Sequence, residues 1–379
     1  MASPLLLFGA SIRAATLSAR RANLHPWGAD LFLDADLQVA ATSFQRISDY
    51  SEFLAISERG PPGPWMYTGA LENRPGLVKE IARNRPLWGN TAEVLRQARS
   101  PLTVFNILNE ADIPCPRVNP TSPAGSIRWL RKPKAGAGGK GITWYAGQNL
   151  SRRHYLQEYV EGESCAAVFV ANQGRASLLG VTRQVVGQTW LHAGPFQYCG
   201  SIGPLTLDPS MEQAWLRLGN ALAAGFQLHG LFGVDCIVRD QVPWPVEVNP
   251  RYTASVEVLE HAGGMSALLQ HERVFEGADP ALTTHHSPLT THHSGIIGKA
   301  ILFARAPLIF PNDGPWRQSL SPENDPWIMS AFADIPQAGQ PIAPGQPVLS
   351  LFARADTIAG CVNQLQTIAA DLDRLLFPS

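Results

Sequence analysis

The stretch Gly230–Arg251, GLFGVDCIVRDQVPWPVEVNPR, constrains the chain most. Apolar and polar residues alternate, break at a turn and alternate again, the pattern of two half-buried strands. Side chains alternate faces along a strand. Leu231, Gly233, Asp235 and Ile237 therefore share one face of the first strand. On the second, Val246 and Val248 share one face, and Glu247 and Asn249 point together to the other. If the register sets Asp235 against that pair, two carboxylates and an amide oxygen converge. Such an all-oxygen donor set suits a hard cation, Mg²⁺ (or Mn²⁺), which takes one or two carboxylates and completes its shell with substrate phosphates. The plainer alternative is a solvated hairpin with three polar residues turned outward.

A second informative stretch lies upstream, where WLRKPKAGAGGKGI follows a short expected strand at Arg128–Lys132. Four glycines, Gly136, Gly138, Gly139 and Gly141, fall within six residues. Without Cβ atoms in the way, backbone N–H groups can wrap a polyphosphate. Lys132 and Lys140 stand at the shoulders and add cationic charge. The loop is not a Walker motif, because no GK[ST] follows it. A flexible turn is the alternative reading. An expected strand His154–Val160, an acidic turn Glu161-Gly162-Glu163 and a further strand Cys165–Val170 come next. Acids at such a turn can hold ribose hydroxyls.

The rest of the chain alternates strands with helices. Leu5–Phe8 reads as a strand, Ile12–Ala22 as an amphipathic helix, Leu31–Leu33 as a second strand and Trp65–Thr68 as another. This order implies a parallel sheet with right-handed crossovers. The Gly9-Ala10-Ser11 turn lacks the GxGxxG of a dinucleotide site. Pro101 to Val118 reads as a helix ending before Ile113-Pro114. Gly200-Ser201-Ile202-Gly203 reads as a loop presenting N–H groups and a hydroxyl, and Arg183 sits at an expected strand end. A strand pair with an ordinary turn is equally compatible there. Asp208-Pro209 caps a helix whose buried stripe is Trp215, Leu218 and Leu222. TTHHSPLTTHHS, at 283–294, is too rich in Thr, Ser and Pro for a rigid zinc site. Ile296–Phe303 and Val348–Phe352 read as strands and Thr357–Leu376 as the last helix.

Composition narrows the partners. A net charge of −1 gives no electrostatic footprint for nucleic acid or an anionic membrane surface. The apolar start is too short for a membrane span and lacks a basic leader. Five scattered cysteines without CxxC spacing read as free thiols of a cytoplasmic protein.

The lysine strand, the glycine loop, Gln157–Glu163 and then Asp235 with Glu247-Val248-Asn249-Pro250-Arg251 together resemble the ATP-grasp superfamily. The resemblance implies a mixed α/β chain: a Rossmann-like domain over 1–99, a small grasp subdomain over 100–175, a large one over 176–280, and a small β-rich region over 281–379. It implies ATP and Mg²⁺ as cofactors, with Asp235, Glu247 and Asn249 on the metal. Lys132 would contact phosphate, with Lys140 and the glycine loop beside it. Gln157 and the backbone of Glu158 and Val160 would read adenine, and Glu163 would hold ribose. Arg251 would stabilise an acyl phosphate or bind a substrate carboxylate, with Arg183, Tyr198, Gly200 and Ser201 near the acceptor. Many members carry Asp-Lys where this chain reads Ser100-Pro101-Leu102, so either another cation substitutes, Lys140 being one candidate, or ATP binds more weakly. The activity implied is a carboxylate–amine ligase working through an acyl phosphate on small-molecule substrates, with a homodimer allowed. Within the superfamily the chain is similar to tyramine–glutamate ligases of methanofuran-type cofactor synthesis, implying L-glutamate and an aromatic amine. A carboxylase, another amino-acid ligase and a non-catalytic nucleotide-binding protein are the alternatives.

Overall fold

The computed structural model describes residues 3–40, 43–119, 127–279, 295–321 and 325–378. The chain opens with a parallel sheet of order β3-β2-β1-β4, formed by β1 (Pro4–Gly9), β2 (His25–Asp30), β3 (Phe44–Arg46) and β4 (Trp65–Tyr67). Leu5, Leu6, Leu7 and Phe8 are all buried, because helices cover both faces of a parallel sheet. Leu5 and Leu7 join one core, Leu6 and Phe8 the other. The expected strand Leu31–Leu33 is displaced: β2 comes earlier, and Leu33 turns the chain with φ +49°. The sequence HPWGAD lacks the apolar run that marks a buried strand, whereas LFL has it; the sheet is nonetheless built from the former.

A small antiparallel sheet of order β5-β8-β6-β7 follows, from β5 (Val118–Asn119), β6 (Trp129–Pro133), β7 (Thr143–Trp144) and β8 (His154–Glu158). The glycine-rich stretch is the loop joining β6 to β7. The helix from Pro101 stops at Glu110, ahead of the Ile113-Pro114 turn. Asp112 then takes a left-handed φ of +51° that reverses the chain before the Pro114-Cys115-Pro116 run.

The third sheet has eight strands in the order β13-β12-β9-β10-β11-β14-β18-β16. Its members are β9 (Glu163–Asn172), β10 (Arg175–Val186), β11 (Tyr198–Gly203), β12 (Gly230–Arg239), β13 (Val242–Asn249) and β14 (Ile296–Phe303), with β16 (Phe332–Ala333) and β18 (Pro347–Ala355); β15 (Leu308–Ile309) and β17 (Pro341–Ile342) pair separately. The C-terminal strands thus extend the same sheet that carries the Asp235 hairpin. Gly200–Gly203 is an interior part of β11, not a loop, with Ser201 opposite Gln184 and Lys299. Both neighbours leave no open side for a loop there.

Helix Pro209–Phe226 starts as its sequence indicates, with the Asp208 carboxylate accepting from the Ser210 and Met211 N–H groups at 2.9 Å. Trp215, Leu218 and Leu222 pack beneath the sheet with the stacked pair Phe169 and Phe232. Helix Ala254–Gly263 lies on the other face, touching the opening domain through Arg13, whose guanidinium bonds Glu257 at 2.5 and 2.8 Å. All five cysteines are free. No helix among the described residues is long and apolar enough to cross a membrane. The histidine-rich 283–294 segment lies outside the described residues.

Candidate active site

The register of the 230–251 hairpin decides whether its polar residues meet. Asp235 stands opposite Glu247, and Gly233 opposite Asn249. Directly opposed residues share a face, so both carboxylates and the amide lie on one side of the sheet. The Asn249 amide donates to Asp235 Oδ2 at 3.1 Å, and Gln184 Nε2 donates to Oδ1 at 2.9 Å. Immediately beyond, the pairing slips so that Cys236 faces Pro245. Val246 is the extra residue of this bulge. Its carbonyl accepts from Lys132 Nζ and from Gln157 Nε2, each at 3.3 Å.

Lys132 and Gln157 arrive from the small sheet, on β6 and β8. Lys132 Nζ also donates to Gln157 Oε1 at 2.9 Å. The two sheets face each other across a cleft of about 520 Å³ lined by Lys132, Gln157, Asp235, Glu247, Asn249 and Arg251, among others. Glu158, Tyr159 and Val160 line its far end. The Glu158 N–H is committed to the Arg117 carbonyl at 2.9 Å, and its carboxylate accepts from the Arg117 N–H at 3.1 Å.

The glycine loop closes the cleft from one side. Gly138, Gly139 and Gly141 all have positive φ, 59°, 76° and 81°. A Cβ on Gly139 would lie 1.8 Å from the Phe196 carbonyl oxygen, so only glycine allows this approach. The Tyr198 N–H donates to the Gly138 carbonyl at 3.0 Å, docking the loop on the large sheet. Trp144, from β7, packs edge-on to Tyr159 and Phe196 at 4.8 and 5.5 Å and spans the same gap. Lys140 is exposed at the loop's end and faces the recess that Arg99 lines.

Electrostatics set the two hairpin carboxylates against each other. Burial, and then the neighbouring Glu247, push the Asp235 carboxyl up to about 7, although Arg251, Asn249 and Lys132 pull the other way. A bound divalent ion would relieve that like-charge pair. Among the described residues no group of three or more His, Cys, Asp or Glu side chains could hold a metal alone. Two carboxylates and an amide fit the Mg²⁺ habit of taking its remaining ligands from phosphate and water. Arg251 is anchored from the opening domain: it donates to Glu72 Oε1 at 2.7 Å and to Asn249 Oδ1 at 3.2 Å. Burial alone would raise the Glu72 carboxyl, but the ion pair with Arg251 holds it below its ordinary value.

Of the expected residues, Glu163, Arg183, Gly200 and Ser201 do not line the cleft, and Gly136 and Lys140 line the neighbouring recess instead. Glu163 and Arg183 alternate onto the opposite face of the large sheet from Asp235, where they pair with each other at 2.8 Å, both half-exposed. Gly200 is buried in β11 against the Lys299 carbonyl. Arg183 also lies within β10, not at its end. Ser201 is fully buried and bonds Tyr198 Oη at 2.9 Å and Ser255 Oγ at 3.2 Å; of the group only Tyr198 and Ser255 reach the cleft.

The structure adds Arg99, Gln184 and Glu72, which sequence reasoning passed over. Arg99 directly precedes the Ser100-Pro101 cap where the expected lysine is missing. Its guanidinium donates to Glu247 Oε1, to the Gly136 carbonyl at 2.9 Å and to Asn73 Oδ1 at 3.1 Å. A basic residue one position from the gap was the available signal. Gln184 and Glu72 carried none, since their partners are distant in sequence.

Comparison with known proteins identifies the fold that carries this cleft. Residues 99–255 match the model of the ATP-grasp domain. An uncharacterized protein of Methanocaldococcus jannaschii is 20% identical over 220 residues, 58% of this chain and 46% of that protein, so the match spans less than half of the relative. The fold is that of the biotin carboxylase domain dimer of Hydrogenobacter thermophilus 2-oxoglutarate carboxylase in complex with MgADP, ADP and bicarbonate (TM-score 0.68, 13% identity, 97% of this chain and 89% of that one). It is also that of the L-amino acid ligase of Bacillus licheniformis (TM-score 0.66, 15% identity, 97% of each chain). The chain carries the ATP-grasp fold, with its ATP-grasp domain at residues 99–255.

Proposed function

We propose that the protein is an ATP-dependent carboxylate–amine ligase. The observation that carries the reading is the register that sets Asp235 against Glu247, with Asn249 beside them, across the cleft from Lys132 and the glycine loop. Asp235, Glu247 and Asn249 would hold Mg²⁺, which when bound neutralises charge on the nucleotide phosphates. Lys132 and Arg99 present cations to the same phosphates, Arg99 standing in for the missing lysine. Gln157, the Glu158 carbonyl and the Val160 backbone face the adenine end.

In the first step a substrate carboxylate oxygen attacks the γ-phosphorus, the bond to the β–γ bridging oxygen breaks, and ADP leaves. Arg251, fixed by Glu72, holds the carboxylate and then the acyl phosphate. An amine nitrogen next attacks the acyl carbon, the carbon–oxygen bond to phosphate breaks, and the nitrogen gives up a proton to the departing phosphate. Positioning and fixed charge supply the catalysis; no protein nucleophile is required. The fold likeness to an L-amino acid ligase supports this class. The expected pairing of L-glutamate with an aromatic amine draws no support from the cleft side chains, and the proposal is to the class alone.

The test is ADP release with Mg-ATP across panels of carboxylic acids and amines, with Glu247→Gln alongside. Release that needs both substrates and is abolished by the substitution supports the ligase. Release driven by bicarbonate without an amine would replace it with a carboxylase, a reading favoured by the likeness to the carboxylase domain.

A further inference from the structure

Arg99 holds an unusual position. It sits at the junction of two helices, Ala92–Ala98 and Pro101–Glu110, the second capped by Ser100. From this junction its guanidinium reaches three separate parts of the molecule: Asn73 of the opening domain, the Gly136 carbonyl of the glycine loop, and Glu247 of the hairpin. The side chain is 12% exposed, and its Nε–H is buried without an acceptor. Glu247, the more exposed partner at 32%, is one of the two carboxylates that face each other in the cleft.

We infer that Arg99 is a built-in occupant of the metal carboxylate, which a divalent ion must displace. The inference rests on the metal reading given above and deepens it. Arg99 holds Glu247 Oε1, and a divalent ion on the same carboxylate would repel the guanidinium, because both are cations at contact distance from one group. With no ion bound, Arg99 neutralises Glu247 and pins Gly136. When the metal arrives with a nucleotide, Glu247 passes to the metal and the guanidinium is left with a freed Nη1 and an unpartnered Nε, donors suited to a phosphate oxygen. The same exchange loosens one end of the clamp on the glycine loop. Free metal alone gives Arg99 no anionic partner in return, so the site favours the metal–nucleotide complex over the bare ion.

The experiment is Mn²⁺ titration of the full chain followed by electron paramagnetic resonance, with and without a non-hydrolysable ATP analogue. In Arg99→Gln the nucleotide-free protein should bind Mn²⁺ about tenfold more tightly, while binding of the Mn–analogue complex weakens by about tenfold, each decade equal to one lost charge contact of ordinary strength. A merely structural arginine would weaken both. Unchanged or weaker Mn²⁺ binding in a variant that keeps its melting temperature overturns the exchange. Arg99→Lys, whose compact head cannot span Glu247 and Gly136 together, should also gain Mn²⁺ affinity, and no gain there overturns it as well. If Glu247→Gln leaves Mn²⁺ binding intact with and without the analogue, the metal reading itself fails, and the exchange with it.

Discussion

Replacing Gly139 with alanine separates a docked glycine loop from a merely flexible one. The new Cβ would lie 1.8 Å from the Phe196 carbonyl oxygen and 2.8 Å from its carbon, backbone atoms that cannot step aside. The residue would also keep a φ of +76°, where a side chain costs about 1–2 kcal/mol. Undocking removes the hydrogen bond from Tyr198 N–H to the Gly138 carbonyl, worth about 1 kcal/mol. The closed loop thus loses roughly 2–3 kcal/mol, which weakens nucleotide binding by roughly 30- to 150-fold at 1.4 kcal/mol per decade. Gly138→Ala is the control. Its φ is +59°, but a Cβ there meets nothing within 4 Å, so only the conformational cost applies, about tenfold. Calorimetric titration with a non-hydrolysable ATP analogue reads both, and proteolysis near Gly138 with and without Mg-nucleotide reports loop closure directly. Equal affinities for the two variants would refute the docking argument, because the difference between them comes only from contact with Phe196.

Three further outcomes follow. Glu72→Gln leaves Arg251 without its carboxylate in a largely buried site and should cost about 3 kcal/mol in denaturant unfolding; a loss under about 1 kcal/mol would show that the pair is solvated. Trp215→Ala opens a cavity beneath the large sheet and should cost about 3–5 kcal/mol, read by thermal melting, since the side chain is fully buried. His271 should make stability fall with acid. It is buried with Nδ1 accepting from the Leu231 N–H at 2.8 Å and Nε2 facing the Trp88 carbonyl at 3.2 Å, and burial lowers its pKa to about 4. The unfolded chain takes its proton near pH 6.5, the folded one only near 4. The stabilisation is therefore complete above 6.5 and is lost as pH falls toward 4, about 3 kcal/mol in all. His271→Asn should remove that share of the pH dependence, and parallel pH profiles for the two proteins would contradict it.

Much of the candidate site was legible because its signals are local. The alternation around Asp235 and Glu247, the glycine run from Gly136 to Gly141, and the Asp208-Pro209 helix start each report a short-range preference that tertiary structure left in place. Residues two apart on one strand must share a face, so the pairing of Glu247 with Asn249 needed no fold. By the same alternation Glu163 falls on the face opposite Asp235, but that follows only once β9 is known to begin at Glu163.

What the sequence determined by itself is thus the chemistry on offer: oxygen donors on a hairpin, lysine beside a glycine loop, and an α/β chain to carry them. Only the tertiary structure decided which of these meet. The bulge at Val246 aims a carbonyl at Lys132 and Gln157. The eight-stranded sheet turns Gly200–Gly203 from an apparent loop into a buried strand. Arg99 meets Glu247 across 148 positions, and Glu72 meets Arg251 across 179. Such contacts leave no trace in local pattern, because a long-range ion pair is fixed by how sheets and helices pack and by nothing in the residues that flank it.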